Sequence, residues 1–155
     1  MSLEIGSSVP DFVATSTDGD IRLSDLRGKK VILYFYPRDN TPGCTTQGQQ
    51  FRDAYAQFQQ AGAVIIGVSR DTLSSHNKFK EKQGFPFPLI ADPEETLCEA
   101  FGVMKLKNMY GKQVRGIERS TFLINEAGTL QQAWRGLKVP GHVDEVLKTV
   151  QESAR

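Results

Sequence analysis

The 155-residue sequence contains only two cysteines, Cys44 and Cys98, which lie far apart along the chain. Neither belongs to a Cys-x-x-Cys pair or to a cluster with histidines, so the sequence argues against a disulfide scaffold and against a metal site. An excess of charge is also absent, because 19 lysines and arginines are balanced by 18 aspartates and glutamates. No basic or acidic block stands out, and the sequence therefore predicts no nucleic-acid partner.

Long apolar runs are missing as well. No stretch approaches the length of a transmembrane helix, and residues 1–6 have neither the basic nor the apolar part of a secretory leader. We therefore predict no membrane association and, by default, a cytoplasmic location, where a reduced thiol survives best. The length is that of one domain with a substantial core, and we predict a single domain over residues 1–155.

The hydrophobic pattern alternates between strand-like and helix-like segments. Continuous apolar runs at 31–36 and 63–68 predict two buried, parallel strands. The order of all segments predicts an α/β, thioredoxin-like sandwich, in which helices flank a central mixed β-sheet and an N-terminal β-hairpin precedes it. The remaining predicted segments are a hairpin at 11–23, one helix ending at Gly62, a helix at 71–84, a short helix from Asp92 and Pro93 to Phe101, a loop or irregular ribbon at 105–118, a hairpin at 121–134 and a helix around 143–150.

The segment from Pro37 to Cys44 is the most informative part of the sequence. It follows the buried run 31–36 and leads directly into an amphipathic segment, which places Cys44 in the first turn of a helix. The free N–H groups and the dipole of a helix N-terminus favour the thiolate form of a cysteine, which is its nucleophilic form. The sequence therefore predicts an activated sulfur nucleophile at the carboxyl end of a central strand.

The pattern Pro37-x-x-x-Thr41-x-x-Cys44 resembles the active-site signature of the peroxiredoxins. The longer string 34–45 is similar to one branch, peroxiredoxin Q or bacterioferritin comigratory protein. The resemblance spans almost the whole chain, because further strings of that branch follow in order: Gly67-Val68-Ser69, Phe87-Pro88-Leu89, Cys98-x-x-Phe101-Gly102-Val103 and Arg119-Ser120-Thr121-Phe122-Leu123-Ile124.

This resemblance implies a thiol-dependent peroxidase that serves in antioxidant defence. Cys44 would attack hydrogen peroxide or an organic hydroperoxide, release water or an alcohol and become a sulfenic acid, with no cofactor and no metal. Pro37 would shield the sulfur, while Thr41 and Arg119 would stabilise the thiolate and the leaving oxygen. The backbone of Gly43 and the side chain of Gln47 would help to bind the peroxide.

The sequence departs from the family pattern where relatives carry a second, resolving cysteine. The two usual positions correspond to Gln49 and Lys80. One account is a one-cysteine enzyme restored by an external thiol such as thioredoxin, glutaredoxin or a small thiol. In a second, less favoured account Cys98 resolves the sulfenic acid. A third is that an original cysteine has been replaced.

Two other functions fit a single reactive cysteine: a peroxide redox sensor, and a thioredoxin-like thiol-disulfide oxidoreductase. The second normally needs a Cys-x-x-Cys pair, whose first position here is Thr41. The resemblance also implies a monomer. Among polar residues near the site, Asp39 is expected to be exposed, and His76 and His142 are expected to be surface residues without a functional partner.

Overall fold

The computed structural model describes residues 3–153. Seven strands form one mixed sheet in the order β2-β1-β5-β4-β3-β8-β9, and β6 and β7 form a separate ribbon. The strands are β1 (Val13–Ser16), β2 (Gly19–Arg22), β3 (Lys30–Phe35), β4 (Ala63–Ser69), β5 (Leu89–Ala91), β6 (Met104–Met109), β7 (Lys112–Ile117), β8 (Ser120–Ile124) and β9 (Leu130–Arg135). The helices are α1 (Pro42–Asp53), α2 (Tyr55–Gln60), α3 (Leu73–Gln83), α4 (Thr96–Ala100) and α5 (His142–Ser153), with a 3₁₀ turn at Leu23–Leu26.

Strand β3 lies at the centre of the sheet, and all six of its residues are buried. It pairs in parallel with β4, where Leu33 lies opposite Ile66, and antiparallel with β8, where Leu33 lies opposite Phe122. A strand that is covered on both faces has no polar side to present, which explains its continuous apolar run. The mixed sheet with flanking helices confirms the predicted α/β class, and the β1–β2 and β8–β9 hairpins confirm those two predictions.

The sheet divides the apolar interior into two cores. Ile32 and Tyr34 of β3 point into one core with Cys44, whereas Leu33 and Phe35 point into the other. The second core contains Cys98. This alternation follows from the period of two in a β-strand, and it places the two cysteines on opposite faces of the sheet.

None of the helices within residues 3–153 is long and apolar enough to cross a bilayer.

Three segments differ from their predictions. The single helix predicted to end at Gly62 is two helices, α1 and α2, separated at Ala54. Helix α4 begins at Thr96 rather than at Pro93, although the Asp92 carboxylate still caps it by accepting hydrogen bonds from the N–H groups of Leu97 (3.2 Å) and Cys98 (2.9 Å). The segment 105–118, predicted to be a loop or an irregular ribbon, is a regular antiparallel ribbon, β6–β7.

His142 is buried, so the expectation of a surface histidine is wrong. Its ring packs edge-on against the rings of Phe51 and Trp134, and its Nε2 lies 2.9 Å from the hydroxyl oxygen of Thr121. The pKa of His142 is lowered to about 4, chiefly by burial and to a smaller extent by the charge of Arg119, while Glu145 acts in the opposite direction. The imidazole is therefore neutral in the folded protein at neutral pH.

This burial makes the free energy of unfolding dependent on pH. Below its usual pKa of 6.5, His142 takes up a proton in the unfolded chain but not in the folded one, so stability falls from there until about pH 4. The free energy of unfolding of the original protein falls between neutral pH and about pH 5. We expect this fall to be smaller by roughly 2 kcal/mol in His142→Gln, which has no imidazole to protonate. Urea unfolding of both proteins at both pH values measures this difference, and parallel losses would contradict the assignment.

Candidate active site

The pairing of β3 with β8 brings two distant segments to one edge of the sheet. Strand β3 ends at Phe35, and the chain continues through a loop to Pro42, the first residue of α1. In the antiparallel register Ser120 lies opposite Phe35. Arg119, one residue earlier, therefore reaches the same edge as the loop that leads to Cys44.

Cys44 is the third residue of α1, and only 2% of its surface is exposed. The helix has Pro42 at its first position, and the amide of Thr45 donates a 2.9 Å hydrogen bond to the carbonyl of Thr41. The amides of Gly43 and Cys44 precede this bond, at the helix end where N–H groups have no partner in the helical ladder. These groups and the helix dipole favour negative charge on the sulfur.

Arg119 connects Cys44 to a second side chain of α1. Its Nη2 donates to the Cys44 Sγ over 3.4 Å, and its Nη1 donates to Gln47 Oε1 over 2.6 Å. Gln47 is completely buried and carries no charge, so the positive charge of Arg119 is not neutralised there. Gly43 permits the approach, because a Cβ atom at that position would lie 3.1 Å from Arg119 Nη2. The structure thus brings Cys44, Arg119, Gln47 and Gly43 together.

Thr41 and Pro37 lie in the loop between β3 and α1, close to Cys44 in the sequence. The Thr41 hydroxyl donates to the Arg38 carbonyl over 2.9 Å, and within residues 3–153 it makes no hydrogen bond to the sulfur. Its oxygen therefore still has a lone pair free to accept from a bound hydroperoxide. Thr41 and the half-buried Pro37 also line an open pocket of about 610 Å³, whose other wall includes Lys107 and Val114 of the ribbon.

Lys107 is a charged residue near the site that the sequence did not identify. Its Nζ donates to the Ile117 carbonyl over 2.6 Å. Burial lowers the pKa of Lys107, and the charge of Arg119 lowers it further, whereas the negative charges of Glu118 and Cys44 act in the opposite direction. The ribbon therefore adds a second cation to the surroundings of the sulfur.

Two further expectations about polar residues are wrong. Asp39 was expected to be exposed but is buried, with only 6% of its surface exposed. His76 was expected on the surface but is completely buried. The two side chains contact each other, since His76 Nδ1 lies 2.7 Å from Asp39 Oδ2. The inward face of α3, which carries His76 and Phe79 three residues apart, was a signal in the sequence that could have indicated this burial.

Cys98 lies in the other core and is completely buried. Burial raises the pKa of the Cys98 thiol far above its usual range, and the carboxylate of Asp92 raises it further. A thiol with a raised pKa is a poor nucleophile at neutral pH. The two positions where relatives carry a resolving cysteine are both engaged in contacts with other elements: Gln49 donates to Gln83 over 3.0 Å, and Lys80 pairs with Asp18 over 2.7 Å.

A cysteine in the first turn of a helix that accepts a hydrogen bond from an arginine is the arrangement of a reactive thiolate. The comparisons with known proteins place this site in the class of cysteine-based peroxidases. Residues 5–133 match the model of the AhpC/TSA family. Peroxiredoxin Bcp of Bacillus subtilis is 50% identical over 153 residues, and this alignment covers 98% of each chain. A putative peroxiredoxin bcp of Coxiella burnetii is 49% identical over 148 residues, which cover 95% of this chain and 98% of the relative.

Solved structures give the same result. The bacterioferritin comigratory protein of Xanthomonas campestris superposes with a TM-score of 0.91 at 47% identity, covering 98% of this chain and all of the other. A cysteine-to-serine variant of Xylella fastidiosa PrxQ superposes with a TM-score of 0.94 at 43% identity, covering 100% and 99% of the two chains. The chain therefore belongs to the AhpC/TSA family and, within it, to the peroxiredoxins of the Bcp or PrxQ group. It is a thiol-dependent peroxidase, and its fold is the predicted thioredoxin-like one.

The two contacts of the Arg119 guanidinium, with Cys44 Sγ and with Gln47 Oε1, lead to a testable prediction. Lysine keeps the charge but cannot donate to both the sulfur and Gln47 from one planar group. We expect Arg119→Lys to slow the oxidation of Cys44 by hydrogen peroxide by about tenfold to a hundredfold, since a donor to the developing charge is lost. The rate is measured by competition with a haem peroxidase. Arg135→Lys is the matched control on the neighbouring strand, where the guanidinium contacts the Phe101 carbonyl instead. A normal rate for Arg119→Lys would contradict the role.

Proposed function

We propose that Cys44 is the peroxidatic nucleophile of this enzyme and that hydrogen peroxide and organic hydroperoxides are its substrates. The thiolate attacks the terminal oxygen of ROOH, an S–O bond forms as the O–O bond breaks, and the leaving RO⁻ takes a proton to become ROH. Cys44 becomes a sulfenic acid. The observation that carries this proposal is the direct contact of 3.4 Å between Arg119 and the Cys44 sulfur at the start of α1.

The other site residues act on the same reaction. Arg119 stabilises the thiolate and then the departing oxygen, while Gln47 holds the guanidinium in place. Thr41 accepts a hydrogen bond from the peroxide, and the amide of Gly43 donates a hydrogen bond to the peroxide. Pro37 has no N–H and a fixed φ, so it gives the wall of the pocket a rigid, apolar side. These residues act within one catalytic domain, residues 1–155.

The open pocket beside Thr41 is the route by which the hydroperoxide enters. Its volume of about 610 Å³ admits the alkyl group of an organic hydroperoxide as well as hydrogen peroxide. The Xanthomonas campestris relative has been described with an alkyl peroxide reduction activity. Val114 contributes an apolar side chain to the pocket wall, which suits an alkyl group.

We propose that the sulfenic acid is resolved by an external thiol. The thiolate of that molecule attacks the Cys44 sulfur, an S–S bond forms as the S–O bond breaks, and the leaving hydroxide takes a proton to become water. A second external thiolate then attacks the external sulfur of this mixed disulfide, which releases reduced Cys44 and a disulfide of the two external thiols. The position of Cys98 supports this one-cysteine route, because the sheet separates it from Cys44 and its raised pKa disfavours the thiolate. Thioredoxin, glutaredoxin and a small thiol are the candidate reductants.

The environment in which the enzyme acts is part of the same proposal. A one-cysteine enzyme depends on a supply of external thiol, which a reducing compartment such as the cytoplasm provides. We propose that it acts there as a monomer. Within residues 3–153 the large exposed apolar side chains are scattered over the β1 and β6–β7 segments and the N-terminal region, as is normal for a monomer surface.

The two cysteines provide a matched test. We expect Cys44→Ser to lose peroxide consumption with every reductant, and Cys98→Ser to keep it within about twofold, because Cys98 lies outside the reacting core. Activity is measured with thioredoxin and its reductase, with glutaredoxin and glutathione, and with dithiothreitol. Full activity of Cys44→Ser would end the proposal.

Intact mass after one equivalent of hydrogen peroxide tests the route of resolution. We expect the original protein to gain one oxygen atom in the absence of an added thiol and to form a mixed disulfide when glutathione is added. A loss of two hydrogens, abolished by Cys98→Ser, would instead show an internal disulfide and would contradict the one-cysteine route.

A further inference from the structure

A buried polar cluster anchors the loop that leads to Cys44. The Asp39 carboxylate accepts hydrogen bonds from the Tyr36 hydroxyl (2.6 Å) and the Ser75 hydroxyl (2.8 Å), and it lies 2.7 Å from His76 Nδ1. The Asp39 amide donates to Asp71 Oδ2 over 2.9 Å. Strand β3, helix α3 and the segment after β4 are therefore all tied to one residue of the loop 37–41.

The partners of His76 define how its ring is protonated. Its Nε2 lies 2.9 Å from the carbonyl oxygen of Ile90, which can only accept, so Nε2 carries a proton. Its Nδ1 faces the carboxylate of Asp39, which also accepts. His76 and Asp39 are thus in direct contact in a setting where neither side chain is reached by water. Removing one member of such a buried pair leaves the polar group of the other without its partner, which is destabilising locally.

The anchored residue controls the entry into α1. Asn40, directly after Asp39, has a φ of 63°, a conformation that is costly for most residues and is tolerated by asparagine. Thr41 follows as the residue directly before the helix, and its hydroxyl donates to the Arg38 carbonyl. The contacts of Asp39 thus fix the direction of the chain through a strained turn immediately before Thr41.

The two steps of the reaction require different access to Cys44. A peroxide group is small, whereas a resolving thiol brings a larger molecule to a sulfur that is 2% exposed. The loop and the first turn of α1 must be displaced for that thiol to attack. The contacts that hold the loop therefore favour the first step and oppose the second.

We propose that the Asp39–His76 pair positions the loop 37–41, and with it Thr41 and Cys44, in the conformation that reacts with peroxide, so that loss of the pair slows peroxide reduction and exposes the sulfur. Both residues act through the loop and are positioning residues. This inference rests on the proposed role of Cys44 as the nucleophile. The coupling is direct, because only Asn40 separates Asp39 from Thr41.

The same cluster contains three potential metal-ligand atoms, from Asp39, Asp71 and His76, within 4.8 Å of one another. The hydrogen bonds within the protein account for them. His76 uses both ring nitrogens, Asp39 Oδ2 faces Ser75 and His76, and Asp71 Oδ2 accepts from the Asp39 amide and the Ser69 hydroxyl. The arrangement is that of a satisfied hydrogen-bond network in which the contact between Asp39 and His76 is central.

The test uses Asp39→Asn, His76→Leu and the double variant. Ser75→Ala is a milder change that removes one donor to Asp39 and leaves the contact between Asp39 and His76 in place. Lys80→Ala is the matched control. Lys80 also lies on α3, and its substitution breaks a 2.7 Å contact with Asp18 that does not involve the cluster. Two quantities are measured: the rate constant of Cys44 oxidation by hydrogen peroxide, and the ratio of Cys44 alkylation by a bulky maleimide to that by iodoacetamide. This ratio reports access to the sulfur, because a change in thiolate fraction affects both reagents.

We expect each single variant to slow oxidation by about tenfold or more, since small displacements of reacting groups are costly, and to raise the alkylation ratio. The double variant should be no slower than the worse single variant, because the two residues act as one unit. Ser75→Ala should shift both quantities less, in the same directions, and Lys80→Ala should shift neither.

Oxidation within about twofold of the original rate in folded Asp39→Asn and His76→Leu would overturn the inference. Slower oxidation at an unchanged alkylation ratio would overturn it as well, because it would show that access to the sulfur does not depend on the pair. If both variants fail to fold, unchanged values in Ser75→Ala decide against it. An original protein that consumes no peroxide would instead contradict the proposed function.

Discussion

The register between β3 and β8 is the constraint on which the site depends. With Ser120 opposite Phe35, the residue before β8 lies beside the end of β3, where the loop to Cys44 begins. A slip of one residue would turn every side chain of β8 to the other face of the sheet, so that Phe122 and Leu123 would exchange cores. Burial of these two residues on opposite faces thus fixes the place of Arg119. The packing of the interior and the geometry of the site are determined together.

Much of the fold could be predicted because the central strands and the late hairpin are marked by long apolar runs and turn residues. The differences arise where such signals are weak. The break between α1 and α2 falls at Ala54, with neither glycine nor proline to indicate it. The ribbon β6–β7 is held together by backbone pairing around the turn at Tyr110 and Gly111. It does not need an apolar face for this pairing, and many of its residues are polar. Its regular structure therefore leaves little periodicity in the sequence.

The same distinction applies to the site. Cys44, Thr41 and Pro37 are close in sequence, so their association could be predicted, and Arg119 was identified by the string around it. Asp39 and His76 are 37 positions apart, and each looks like a surface residue when taken alone. The burial of either depends on the presence of the other, because burying a polar group is costly unless it has a hydrogen-bond partner. Lys107 was missed for a related reason, since its environment is created by the ribbon.

The sheet divides the interior into two cores, and this division separates two tasks: stabilising the fold and forming the surroundings of the reactive sulfur. The core around Cys98, Leu33 and Phe35 contains none of the proposed catalytic side chains. Substitutions there that keep the register of β8 can alter the overall stability of the protein while the surroundings of the reactive sulfur remain nearly constant. Selection for stability and selection for reactivity can therefore act on different residues. A family built on this sheet can adapt to a new temperature without changing its chemistry.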